Sequence, residues 1–241
     1  MTRLTTCPDA ETVAQRAAAH VTRQLRRAHE ERGVAHLALS GGTTPGRTYE
    51  LLGAEPQAFV GVELWFADER CVGPDDEESN YRLAAQTLLA GNALGSAKVH
   101  RMEGEAGPEQ GARRYTQALL GELGAEGSPT PPILDLIVLG IGPDGHVASL
   151  FPGAATLDAP EDAVCLGVHD SPKPPPERIT LSLAVLRAAR ECVLLATGAS
   201  KADAVNAMLA TPSPHVPASL LRRERLTVFV DDAAAPPSPR R

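Results

Sequence analysis

An imidazole and a carboxylate two residues apart, in the loop Gly140-Ile-Gly-Pro-Asp-Gly-His146, are the side chains of this sequence best suited by type to move a proton. A histidine near its ordinary pKa can take a proton from water and return it to a leaving oxygen. Asp144 can orient or polarise His146, although the i,i+2 spacing does not by itself establish contact. Glycines and a proline specify the turn, and Val147 to Leu150 have the composition to begin a helix behind it. Ser149 is not presented in a Gly-x-Ser-x-Gly elbow and is not read as a nucleophile. A lone histidine is more often structural; the glycine-rich setting favours a catalytic one.

Two further segments suit an anion. Ser40, Gly41, Gly42, Thr43 and Thr44, within Ser40-Gly-Gly-Thr-Thr-Pro-Gly46, offer hydroxyls and closely approachable backbone amides. They lack the Gly-Lys-Ser/Thr of a nucleotide P-loop and the Gly-x-Gly-x-x-Gly dinucleotide spacing. Asp68-Glu69-Arg70 supplies carboxylates for water or sugar hydroxyls and a guanidinium for a carboxylate-like group or developing oxyanion, or else a surface ion-pair cluster. Arg178 can grip a phosphate through two charged hydrogen bonds, and Lys201 brings a compact charge to a helix start. Both residues are also compatible with ordinary solvent exposure.

The elements that must position these residues follow from periodicity. Asp9 to Arg32 reads as a helix with the apolar stripe Val13, Ala17, Val21 and Leu25, stopped by Gly33. Strands are predicted at 34–39, 62–67, 99–102, 133–139, 163–168, 192–197 and 226–230. Helices are predicted at 47–52, 79–89, 108–120, 182–190 and 200–209. Residues 121–132 read as a connector rich in glycine and proline. The recurrence of strand, glycine-rich loop and helix predicts an α/β fold, a largely parallel sheet with helices on both faces. Such sheets bind ligands beyond the carboxyl ends of their strands, where the loops at 40–46, 67–74 and 140–151 fall. One domain is expected over residues 1–232, followed by a Pro/Ala-rich tail at 233–241.

Composition narrows the function classes. The formal net charge is −7 among 241 residues, which gives no support to wrapping nucleic acid or coating an anionic membrane but leaves a local basic pocket open. Cys7, Cys71, Cys165 and Cys192 are dispersed without a CxxC, and His20, His29, His36, His100, His169 and His215 form no recognisable metal set. No metal is expected. The expectation is of free thiols in a cytoplasmic protein, since no apolar export or membrane-spanning segment is evident.

Taken together, the motifs resemble the 6-phosphogluconolactonase family. The matching pieces are SGGTTP at 40–45, WFADER at 65–70 with Asn80 downstream, GIGPDGHVASLFPG at 140–153, ERIT at 177–180 and GASK at 198–201. The resemblance implies a modified Rossmann-like sheet of the sugar-phosphate isomerase fold, without nucleotide. It implies hydrolysis of 6-phospho-D-glucono-1,5-lactone to 6-phospho-D-gluconate in the oxidative pentose phosphate pathway, without cofactor. On this mapping His146 is the acid/base, Asp144 its partner and Arg70 a group near the lactone. Residues 40–45, Arg178 and Lys201 hold phosphate, with Asp68 and Asn80 also on the substrate. The small family relatives permit a monomer and leave a homodimer open. The related glucosamine-6-phosphate deaminases carry a glutamate five residues after the histidine and an aromatic residue after Asp-Glu. Here those positions are Phe151 and Arg70, which favours the lactonase. A noncatalytic sugar-phosphate sensor is the other alternative, and it leaves Asp144 and His146 without a chemical role.

Overall fold

The computed structural model describes residues 1–90, 97–124 and 130–236. In chain order the main elements are β1 (Arg3–Cys7), α1 (Ala10–Arg32), β2 (Ala35–Leu39), α2 (Thr43–Gly53), β3 (Val62–Phe66), β4 (Asp68–Arg70), α3 (Asn80–Gln86), β5 (Lys98–Val99), α4 (Pro108–Leu123) and β6 (Leu136–Gly140). There follow β7 (Cys165–Val168), β8 (Arg178–Leu181), α5 (Leu183–Ala188), β9 (Glu191–Ala196), α6 (Ala202–Leu209) and β10 (Leu226–Asp231).

Seven strands form one sheet in the order β1-β10-β9-β6-β2-β3-β5, with every described pairing parallel. Every residue of β2, β9 and β10 is buried. Burial along a whole strand means that both faces of the sheet are covered, which is why these segments read as apolar runs rather than alternations. From β2 the chain proceeds through β3 to β5 on one side, and from β6 through β9 to β10 on the other. The loops leaving β2 and β6 therefore diverge, and the crevice between them is the topological switch point where ligands bind in such sheets.

A second sheet, β4-β8-β7, is antiparallel, and sequence periodicity does not reveal it. Its strands are three or four residues long, too short to show a period. It turns Asp68-Glu69-Arg70 from a loop into a paired strand. Likewise β1, with burial only at Cys7 and partly at Thr5, lacks an apolar run and is held by pairing with β10.

Helix boundaries follow local chemistry. Asp9 caps α1 by accepting from Thr12 N at 2.7 Å, and Gly33 closes it in the left-handed region at φ 79°. Ser79 and Ser182 cap α3 and α5. The helix expected from Arg47 begins at Thr43 instead, so the glycine-rich loop is itself the start of a helix. The helix expected from Val147 does not form. Ala148 sits at φ 49° and Val147 bridges Leu150 in a tight turn.

A continuous buried cluster runs from Cys7 to Ala234. Ala234 is fully buried and its amide donates to Asp231 at 2.8 Å, so ordered chain continues past the expected boundary at 232. Residues 237–241 of the expected tail and 125–129 of the expected connector lie outside the described residues. No described helix is long and apolar enough to cross a membrane.

Candidate active site

Beyond the carboxyl ends of β2, β6 and β9, and walled by β4 and β8, lies a cleft of about 260 Å³. It collects the residues that the sequence motifs single out: the whole of 40–44, Asp68, Arg70, Asn80, His146, Arg178 and Lys201 all line it. Asp144 stands behind His146. Elements far apart in sequence deliver these groups, because each motif lies at the end of a strand or on the short strands beside it.

The imidazole is held from several sides. His146 Nδ1 lies 2.6 Å from Asp144 Oδ1, and Phe151 packs against the ring at 4.7 Å between centroids. The His146 carbonyl accepts from Gly142 N at 2.9 Å, and Gly142 O accepts from Gly145 N at 2.9 Å. Gly145 has φ 84°, a conformation that glycine adopts without a Cβ penalty. The His146 side chain is 16% exposed and that of Asp144 34%. Burial holds the imidazole below its ordinary pKa, against Asp144, which raises it, and with Lys173, which lowers it further. The Asp144 carboxyl is raised by its own burial, but the charge and hydrogen bond of His146, together with Lys173, bring it below its usual value. An ionised Asp144 only accepts, so Nδ1 carries the proton and Nε2 is left as a base.

Around this pair the carboxylates divide their work. Asp68 is buried, and its Oδ2 accepts from Ser149 Oγ at 2.8 Å while Asn80 Nδ2 donates to the Asp68 carbonyl at 2.8 Å. Glu69 points away from the cleft. It accepts from the amides of Arg70, Asn80 and Tyr81 at 2.7–2.8 Å and from Ser79 Oγ at 3.1 Å, so it anchors the start of α3. Of the two expected acidic contributors, only Asp68 faces the cleft. The close packing depends on Gly41, where a Cβ would lie 1.9 Å from Asn80 Oδ1.

Arg70 and Arg178 are register partners across β4 and β8. Two guanidiniums placed side by side disfavour each other, and the Arg178 pKa is lowered by burial first and then by Arg70. Backbone carbonyls compensate: Arg178 donates to Pro175 O, Lys173 O and Pro174 O, each at 3.1 Å. Its ring neighbour is Phe151, 5.6 Å away. Arg70 Nη1 binds the Glu78 carbonyl, while its Nε is buried with no hydrogen-bond partner among the described residues. Ser40 Oγ is in the same condition, though Tyr49 OH fixes the Ser40 backbone on both its amide and its carbonyl. Unsatisfied buried polar atoms are rare. Both residues line the cleft.

Lys201 and Lys173 also line the cleft: Lys201 Nζ donates to Ile141 O at 2.7 Å, and Lys173 Nζ lies 3.9 Å from Asp144 Oδ1. Burial and the charge of Lys173 lower the Lys201 pKa. Arg178 and Lys201, expected together, both line the cleft, Arg178 from the short sheet and Lys201 from the start of α6, with Lys173 beside the His146–Asp144 pair. Lys173 escaped the sequence reading. Its only signal is the stiff Pro172-Lys-Pro-Pro-Pro176 run, which fixes an extended path without indicating where it leads. Thr44, in the first turn of α2, and Thr197, just past the end of β9, share a 2.7 Å hydroxyl contact.

Away from the cleft, Glu63, His100 and Glu122 bring their ligand atoms within 4.8 Å of one another. Lys98 reaches both carboxylates, so an ammonium already supplies the cation there.

Comparison with known proteins agrees with this fold. A family profile described as glucosamine-6-phosphate isomerases/6-phosphogluconolactonase matches residues 8–230. The chain is 38% identical to a 6-phosphogluconolactonase of Streptomyces coelicolor, over 96% of this chain and 93% of that one. It is 37% identical to that of Rattus norvegicus, over 94% and 86%. Among solved structures, the 6-phosphogluconolactonase from Trypanosoma cruzi superposes with a TM-score of 0.86 at 26% identity, covering 97% of this chain and 96% of that one. A monomeric glucosamine-6-phosphate deaminase shares the fold, with a TM-score of 0.77 at 24% identity over 97% and 98%.

Proposed function

The chain belongs to the family of glucosamine-6-phosphate isomerases and 6-phosphogluconolactonases, and on that premise we propose that it hydrolyses 6-phospho-D-glucono-1,5-lactone to 6-phospho-D-gluconate. The observation that carries this reading is the His146–Asp144 pair, 2.6 Å apart, on the edge of a cleft lined by cations.

Water attacks C1 of the lactone as Nε2 of His146 takes its proton, and a C–O bond forms while the carbonyl π electrons move onto oxygen. When the oxyanion collapses, the bond from C1 to the ring oxygen breaks. That oxygen takes the proton from Nε2 and becomes a hydroxyl. Asp144 keeps Nδ1 protonated throughout and steadies the transient imidazolium.

The amides of Gly142 and Gly145 are spent inside the loop, which disfavours them as oxyanion donors. Arg70, which lines the cleft, and Lys173, near the proposed catalytic pair, are the charged donors assigned that task. The start of α2 at Gly42–Thr44, together with Arg178 and Lys201, is proposed to take the phosphate, since a helix N-terminus and two cations favour a dianion. Asp68 and Asn80 are assigned to sugar hydroxyls or to the walls that shape their site.

Phe151 disfavours the deaminase alternative, because a buried phenyl ring stands where that chemistry places a carboxylate. The working unit is proposed to be a monomer acting on a small phosphorylated lactone in the cytoplasm. The deciding assay supplies freshly generated lactone and, in parallel, glucosamine 6-phosphate. Acid release above the spontaneous rate with no ammonia release is expected. A background rate from folded protein that still binds the product would leave only a sensor.

A further inference from the structure

At the opposite end of the sheet lies a second cleft, of about 330 Å³, where β6 and β9 begin. Arg3, Arg27, Arg32, Arg190 and Arg225 line it together with Glu31, Asp135 and Glu191. Five guanidiniums thus face three carboxylates, an excess of positive charge on a chain whose net charge is −7. Two buried carboxylates fix the arrangement. Asp135 Oδ1 takes Arg32 Nη2 at 2.9 Å and Arg190 Nε at 3.2 Å, while its Oδ2 accepts from His36 N at 2.9 Å. Glu191 Oε1 takes Arg3 Nη2 at 2.6 Å, His20 Nε2 at 3.0 Å and the Thr227 hydroxyl.

Arg225 is the member that internal neutrality leaves over. Its Nη1 donates to Ala188 O and Ala189 O at 2.8 and 3.1 Å, and among the described residues it has no carboxylate partner. Arg27 and Arg32 share the single carboxylate of Glu31, which also holds Arg27 on the rim of the cleft. Guanidiniums already oriented by buried carboxylates lose little side-chain entropy on meeting an oxyanion, and their planar forks match its geometry. A phosphate monoester carries roughly −1.5 to −2 charges near neutrality, which matches the unbalanced charge.

We propose that this basal cleft is a second binding site, separate from the catalytic cleft, for a phosphate dianion, free or carried on a small organic molecule. The two clefts share β6, which begins at Leu136 in the basal cleft and ends at Gly140 in the catalytic one.

The Arg Nε–Hε resonances of the whole chain report the test, with the cleft-lining Arg3 and Arg32, present in every variant used, assigned by substitution. Inorganic phosphate and glucose 6-phosphate are titrated separately, each against sodium chloride of equal ionic strength. Saturable shifts of both resonances that the chloride series does not reproduce are expected, weakened tenfold or more in the Arg190→Ala/Arg225→Ala variant and in Arg27→Ala, which removes only a rim charge. Tighter binding of the ester identifies an organic phosphate as occupant, and equal binding identifies the free anion. Lys201→Ala, which alters the other cleft, should leave the titration in place. Shifts that follow ionic strength alone, that persist unweakened in both variants, or that vanish with Lys201→Ala would overturn the proposal.

Discussion

The backbone of Gly142 lies so close to the His146 ring that a Cβ there would stand 2.1 Å from Nδ1 and 2.2 Å from Cε1. It would also stand 2.3 Å from Asp144 Oδ1. The glycine is therefore what lets the loop close around the dyad, with its amide on the His146 carbonyl. Gly142→Ala must push the imidazole or the carboxylate aside. A misplacement of about 1 Å near the reacting centre can cost on the order of 10²-fold, so kcat should fall by about that factor in a lactonase assay. Gly73→Ala, at a position with open space around it, should be silent. Comparable losses in the two variants would show that the packing against His146 is irrelevant.

The pH profile follows from the ionisation of the same ring. In the proposed mechanism His146 acts as a base only when neutral, and burial holds its pKa below the ordinary value of about 6.5. Hydrolysis above background should stay flat near neutrality and decline only as pH falls through that lowered pKa. Lys173 depresses the histidine and Asp144 raises it. Lys173→Ala should accordingly move the acid limb of kcat/KM to higher pH, and Asp144→Asn should move it lower while also reducing the plateau. Shifts in the opposite sense would refute the assignment of the limb to His146.

His146→Ala separates chemistry from binding. General acid/base participation contributes about 10²–10⁴-fold, so kcat should drop within that range while 6-phosphogluconate binding, measured at equilibrium, stays close to that of the unmodified protein. A variant with full hydrolytic rate would remove His146 from the mechanism.

The proposed phosphate contacts carry an expectation of their own. Lys201 reaches the cleft from the start of α6 and rests on Ile141 O. A charged hydrogen bond contributes about 1.5–3 kcal/mol, so Lys201→Ala should raise KM for the phosphorylated lactone by roughly 10–10²-fold. It should change turnover of unphosphorylated gluconolactone little. Equal losses on both substrates would mark a structural defect instead.

How much of this was legible beforehand depended on whether a residue's role is local. The long helix α1, the buried runs at β2, β6 and β9, and the glycine-rich loop at His146 all announce themselves through period or composition, because their own neighbours decide their conformation. The antiparallel sheet does not. Asp68-Glu69-Arg70 becomes a strand only because Arg178-Ile-Thr180 arrives beside it from more than a hundred positions away. The same pairing sets Arg70 against Arg178 and brings Lys173 to Asp144, so the grouping of cations was beyond the reach of spacing. Val147 to Leu150 misled for the converse reason: helix-compatible composition yielded to a tight turn in which Ser149 reaches Asp68.

Glu69 is the sharpest case of a residue whose type suggested chemistry and whose contacts assign it to the framework. Its carboxylate accepts from three backbone amides and one hydroxyl at the head of α3. Burial raises its pKa in spite of those bonds, which lower it, so the charged form depends on them. Removing the acceptor leaves buried donors unpaired, at about 1–3 kcal/mol for such a group. Glu69→Ala should therefore lower the denaturation midpoint by several degrees. The folded fraction should keep the pH profile of the unmodified protein, since Glu69 does not touch His146. A shifted acid limb with unchanged stability would instead return Glu69 to the catalytic cleft, where its sequence position beside Asp68 had first placed it.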